Sequence, residues 1–185
     1  MGSLENDEAL SLLDFWIGAG PKAWFMQDDA FDTRCAGYRD LWEKARAGAC
    51  DDWAQTAAGA LALTILLDQI PRNVLRGSAE QFATDAKAVT VADAAVAAGF
   101  DRAFMMPLRF FFYLPYEHAE DNALQDRCLD LVRPLNDQEF YYWALVHADA
   151  IRRFGRFPHR NKMLGRETTP AEQAYLDSGG FGADK

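Results

Sequence analysis

His147 falls on the series Phe140, Trp143, Ala144, His147, Ile151 and Phe154, a spacing that turns one helix face inward while Glu139 and Tyr142 point elsewhere. An imidazole on an apolar face is either a hydrogen-bonded filler of the core or a group whose charge changes near neutral pH. Just after it, Arg152 to Arg166 holds Arg152, Arg153, Arg156, Arg160, Lys162 and Arg166, six positive charges and no acid in fifteen residues. The chain as a whole carries −9, so the remainder sums to −15. Phe154 and Phe157 interrupt the run, which anchors part of it in the core and leaves guanidinium forks to meet a carboxylate or phosphate. Structural salt bridges to the acidic remainder are the competing explanation. Three further groups of the same chemistry are Asp68-Gln69 with Arg72-Asn73, Glu117-His118 with Glu120 and Asp121, and His159 with Arg160-Asn161. Taken singly, Asp68 or Asn73 is an ordinary helix cap. Together these segments supply carboxylate, imidazole, amide and guanidinium groups, the set for acid–base work on a bound anion.

In that reading His147, His159 and Glu117 are the candidate acid and base groups. Asp68, Gln69, Arg72, Asn73, His118, Arg153, Arg156, Arg160 and Asn161 are the candidate ligand-binding groups. No metal or other cofactor is expected. The three histidines lack His-Glu-x-x-His spacing, and Cys35, Cys50 and Cys128 form no paired-cysteine motif. There is no Gly-x-Ser-x-Gly elbow, and Gly18, Gly20 and Ala23 follow a helix pattern rather than the strand a dinucleotide fingerprint requires.

These side chains need elements to position them, and helical spacing dominates the chain. With 185 residues, half of them apolar, there is material for one domain with a real core. Ala9, Leu10, Leu13, Trp16 and Ile17 make a first stripe closed by Gly18 and Pro21. Phe31, Cys35, Tyr38, Trp42 and Ala45 make a second. Asp51 or Asp52 caps a central, nearly all-apolar helix that ends near Gln69 before Pro71. Ser78 with Gln81 reads as a capping box opening a long alanine-rich helix to Gly99; Asn136 with Glu139 opens another to Phe154, and Thr169, Pro170 and Glu172 open a last short one. The expected fold is all-α, a single domain over 1–185 with its core at about 9–177, built of stacked antiparallel helix pairs. One internal echo stands out: Pro71-Arg72-Asn73 and Pro158-His159-Arg160-Asn161 each follow a long helix.

Acidic balance, with 28 acidic against 19 basic side chains, argues against nucleic acid or an anionic membrane as partner. The longest uncharged stretch, Trp53 to Leu67, is 15 residues, short for a bilayer span. Acidic residues at Glu5, Asp7 and Glu8 are unlike a signal peptide, and the unpaired cysteine pattern suits a reducing, cytoplasmic setting. A monomer is expected.

The chain resembles the bacterial family catalogued as domain of unknown function 924. Its bearers here are Asp14-Phe15-Trp16, Trp24-Phe25, Phe31-Asp32, Leu67 to Asn73, Tyr113 to His118, His147, Arg153 to Asn161, and Gly165-Arg166, a span from Asp14 to Leu176. The resemblance implies a tetratricopeptide-like helical fold and a site built from these polar residues, and it implies no activity. Two functions compete: a pocket for a small anionic ligand with acid–base chemistry, and a helical scaffold holding an acidic peptide or partner protein along the arginine loop.

Overall fold

A computed structural model describes residues 6–26 and 28–183, and every regular element among them is helical. The N-terminal segment in which no export signal is expected begins outside the described residues. The chain divides into two compact units, Met1–Pro115 and Tyr116–Lys185.

In the first unit, Asn6 accepts the Glu8 and Ala9 amides to start α1 (Asp7–Phe25), in which Gly20 leaves helical geometry at φ 77° just before Pro21. Ala9, Leu12, Leu13 and Trp16 are its buried residues, so the inward stripe takes Leu12 and leaves Leu10 and Ile17 exposed. The second expected stripe is divided between α2 (Asp29–Cys35), capped by Asp28, and α3 (Arg39–Arg46), with a 3₁₀ turn between them.

The central apolar helix is α4 (Ala57–Asp68), buried from Gly59 to Asp68, with α1, α3 and α6 (Asp85–Ala97) packed on it. Its cap is Thr56, whose hydroxyl accepts the Gly59 amide; Asp51–Gln55 is a separate 3₁₀ turn. A Cβ at Gly59 would lie 2.2 Å from the Trp53 carbonyl oxygen, so only glycine lets that turn close onto the helix. Beyond Asp68, Pro71 opens the short α5 (Ile70–Val74) in its first turn, where a missing N–H costs nothing.

The long alanine-rich helix expected from Ser78 is shorter than its pattern. Ser78 Oγ accepts the Glu80 amide, Ala79–Phe82 is a 3₁₀ turn, and α6 begins only at Asp85. Thr84 explains the delay. Its hydroxyl donates to the Leu67 carbonyl at 2.5 Å and accepts from Trp42 Nε1 at 3.0 Å, tying it to α4 and α3. Two 3₁₀ turns follow, Phe100–Ala103 and Leu108–Phe112, joined by a buried set in which Asp101 Oδ2 accepts from Tyr113 Oη at 2.6 Å and from Arg109 Nη2 at 2.9 Å.

The boundary between the units falls within the single turn α7 (Leu114–Glu117). In the second unit, α8 (Asn122–Val132) and α9 (Gln138–Phe154) pack as a hairpin across a short connection. Asp137, not Asn136, caps α9, because Asn136 takes a left-handed conformation at φ 56°. α10 (Pro170–Asp177) starts with the expected capping box, Thr169 and Glu172 bonding reciprocally. Ala150, Ile151 and Phe157 form the core here, with Tyr175 and Phe181 packed against them. Among the described residues no helix is long and apolar enough to cross a membrane.

Candidate functional site

The first unit contains Asp68, Gln69, Arg72 and Asn73, and they answer one another. Arg72 forms a two-pronged bond to Asp85 at 2.9 and 3.1 Å, lies 3.4 Å from Asp68 Oδ1 and donates to the Asp68 carbonyl. Gln69 Nε2 donates to Asp68 Oδ2, and Asn73 Nδ2 to the Gln69 carbonyl. Arg76 is clamped by Asp32 at 2.9 and 3.0 Å. The flanking carboxylates raise the Arg72 pKa further even though burial opposes charge there. This is a charge-matched lock on the turn after α4.

The second unit contains the remaining candidates. Glu117 ends α7 and is 3% exposed, and His147, at mid-α9, is 6% exposed. His147 Nδ1 lies 2.8 Å from the Trp143 carbonyl oxygen and 3.2 Å from Glu117 Oε1. Both neighbours accept hydrogen bonds, so the proton of the neutral imidazole belongs on Nδ1. His118 lies beside it, the ring centroids 6.2 Å apart. Phe181 covers the His147 ring at 4.0 Å and meets His159 at 5.1 Å, while Phe157 lies 5.7 Å from both imidazoles. Trp143, expected on the buried stripe, is 42% exposed; its carbonyl rather than its ring serves His147. The buried neighbour Cys128 is pushed well up, first by burial and then by the charge of Glu117.

The arginine run divides by partner. Arg152 meets Asp126 at 2.5 Å, and Arg153 lies 3.5 Å from Asp149 and over the Tyr175 ring. Arg156 binds Glu172 through two bonds of 2.6 and 2.9 Å, and chiefly through that contact holds the Glu172 carboxyl down at about 2. Arg166 binds Glu120 at 2.6 and 2.9 Å, and Glu120 also accepts the Phe157 amide at 2.8 Å; these bonds outweigh burial and lower its pKa. Arg160 is buried with its guanidinium 4.5 Å from the Phe157 ring centroid, close enough for its charge to help lower Glu120. Asn161 is fully buried and donates to Thr168 and Glu172, each at 3.3 Å; its Oδ1 has no hydrogen-bond partner among the described residues. Beside this cluster opens a depression of about 600 Å³ whose walls include Pro158, His159, Lys162, Thr168, Asp177 and Gly182. Among the described residues no group of three His, Cys, Asp or Glu side chains is arranged to hold a metal ion.

Three neighbours of these candidates escape a reading of the sequence. Gln125 on α8 donates its side-chain amide to the carbonyls of Tyr116, Glu117 and Ala119, and no local pattern announces it. Glu172 is visible as a capping residue but not as the partner of Arg156. For Phe181 the one available signal is its place between Gly180 and Gly182. A Cβ at Gly182, φ +81°, would fall 2.4 Å from the His159 ring, so the tail closes on the imidazole only through glycine.

The model of the family described as "Bacterial protein of unknown function (DUF924)" matches residues 12–180. Among solved structures, a protein of unknown function from Agrobacterium tumefaciens, ATU0120, is similar to this chain at 47% identity and a TM-score of 0.90, with 93% of this chain and 98% of that one covered. A search of curated proteins finds none that matches.

Proposed function

The chain belongs to the DUF924 family of bacterial proteins, a membership that brings no activity with it, and from that premise we propose that the 116–185 unit binds a small anionic ligand, with the Glu117–His147 pair moving a proton at that ligand. The observation that carries the reading is the pair itself. A carboxylate and an imidazole 3.2 Å apart, 3% and 6% exposed, are costly to bury, and the contacts of Nδ1 with Glu117 and the Trp143 carbonyl fix the direction of the ring. Glu117 stabilises the imidazolium that forms when the ring takes a second proton. Phe157 and Phe181 keep bulk water from the ring, which strengthens that coupling. Lys162 supplies positive charge for the anion in the depression that His159 also lines, His159 and His147 both lie against Phe181, and Arg160, over Phe157, adds a fixed charge.

Asp68, Gln69, Arg72 and Asn73 stay outside this reading, since their charges are matched within the first unit. A tetratricopeptide-like stack, a single-domain monomer and a cytoplasmic setting belong to the same proposal. The α8–α9 hairpin supports the first, and three buried free thiols support the last.

The test is thermal unfolding against inorganic phosphate, sulfate and small carboxylates. Preferential binding to the folded state raises Tm, by an amount equivalent to about 2.7 kcal/mol at a hundredfold excess over Kd. His159→Gln, Lys162→Ala and Arg160→Gln lose most of that rise while retaining helical circular dichroism. No response to any anion, or an unchanged response in all three variants, overturns the reading; a response to an acidic peptide alone transfers it to a helical scaffold.

A further inference from the structure

We propose that Gln125 is the positioning residue of the Glu117–His147 pair, its amide gripping the main chain around Glu117 so that the carboxylate stands at His147 Nδ1. The inference rests on reading that pair as the proton-transfer element, but its test needs no ligand. α7 is a single turn, and a helix end leaves carbonyls without intrahelical donors. The Tyr116 carbonyl already accepts the Ala119 amide at 3.2 Å, but the Glu117 carbonyl lies on a nearly buried residue and unmet it would be expensive. Gln125, itself fully buried on α8, meets it and reaches the carbonyls on either side. Its Nε2 lies 2.7 Å from the Glu117 carbonyl, 2.8 Å from that of Ala119 and 3.3 Å from that of Tyr116.

An amide has two N–H groups, so the third and longest contact is shared. The reverse orientation would set the Gln125 oxygen against three carbonyl oxygens, which fixes the assignment. Gln125 Oε1 has no hydrogen-bond partner among the described residues, so the donor end alone determines where this side chain sits. Holding the backbone on both sides of Glu117 fixes the direction of its Cα–Cβ bond, and that direction decides whether Oε1 reaches α9. Asn at this position is one methylene short of the span, and an apolar residue offers no donor.

Titratable groups around the pair include His118 beside His147, Cys128 beside Glu117, and His159, which shares Phe157 and Phe181 with His147. The measurement is the His147 titration midpoint from its ring NMR signals, alongside thermal unfolding. The chain has three histidines, so single variants assign the signals. Glu117→Gln removes the neighbouring charge and lowers the midpoint by about one pH unit. Gln125→Met is expected to lower it by most of the same amount, and Gln125→Met added to Glu117→Gln to lower it no further, because the amide acts only through Glu117. Should Gln125→Met not fold, Gln125→Asn carries the same comparison with a smaller shift. A wild-type midpoint in the folded Gln125 variant, or a shift that adds in the double variant, overturns the proposal and leaves Gln125 a purely structural cap. Loss of anion binding in the ligand experiment would not alter this result, so the two readings fail separately.

Discussion

Pro71-Arg72-Asn73 and Pro158-His159-Arg160-Asn161 are alike as strings and unlike as sites. In the first unit Arg72 sits between Asp68 and Asp85 and Arg76 against Asp32, so the charges of the segment are matched where they arise. In the second, Arg156 and Arg166 are matched in the same way by Glu172 and Glu120, the Arg160 guanidinium also lies over the Phe157 ring, and His147 shares the interior with Glu117. An arginine after a proline-bounded turn is therefore neither lock nor site by itself. What decides is which groups arrive from neighbouring elements to meet it, and whether a titratable group is buried close by.

The contrast between the units is tested most severely at His147. His147→Glu places a second carboxylate against Glu117 in a buried site and should cost about 4 kcal/mol or more, enough to unfold a marginal unit; His147→Ala should cost about 2 kcal/mol. Urea unfolding followed by circular dichroism measures both, and equal midpoints would contradict the buried placement of this side chain.

In the first unit the corresponding test is Asp85→Ala. It leaves Arg72 with Asp68 alone and should cost about 3 kcal/mol, whereas replacing both partners, Arg72→Met with Asp85→Leu, should recover most of the loss if the cluster serves packing. A double variant as unstable as the single one would assign Arg72 a role beyond the lock.

A smaller effect separates the matched arginines by pH. The folded-state pKa of Glu172 is about 2, against an ordinary value of 4.5. The unfolded chain therefore binds more protons between those values, and the stability this group contributes falls as pH drops from about 4.5 toward 2 and is constant above. Glu172→Gln should flatten that part of the stability–pH curve, which acid titration of unfolding free energy would reveal. The smallest expected change is Gly182→Ala, about 1 kcal/mol, because the tail can shift away from His159. Its signature is altered ring-current shifts at His147 as Phe181 moves.

Much of the fold is legible in the residues themselves. The buried stretch from Gly59 to Asp68, the stop before Pro71, the cap and capping box at Thr169 and the inward face of His147 all follow from local rules, because periodicity and terminal hydrogen bonding act within a few residues. Where the helices depart from their pattern, a distant partner has intervened. Thr84 bonds to Leu67 and Trp42 and delays α6, and α1 takes Leu12 inward where the pattern offered Leu10 and Ile17.

Residue order alone thus specifies an all-helical chain, the helices that carry its polar segments, and the residue types available for binding an anion and moving a proton. Which of those residues pair with one another was settled by packing between distant elements. Arg72 became part of a lock and Glu117 a neighbour of His147 because Asp85 and α9 come from elsewhere in the chain, and Gln125 entered because its amide reaches three carbonyls around another helix. Hydrogen bonds and ion pairs are decided over about 3 Å, a distance that spacing along the chain does not encode when the partner lies on a different element.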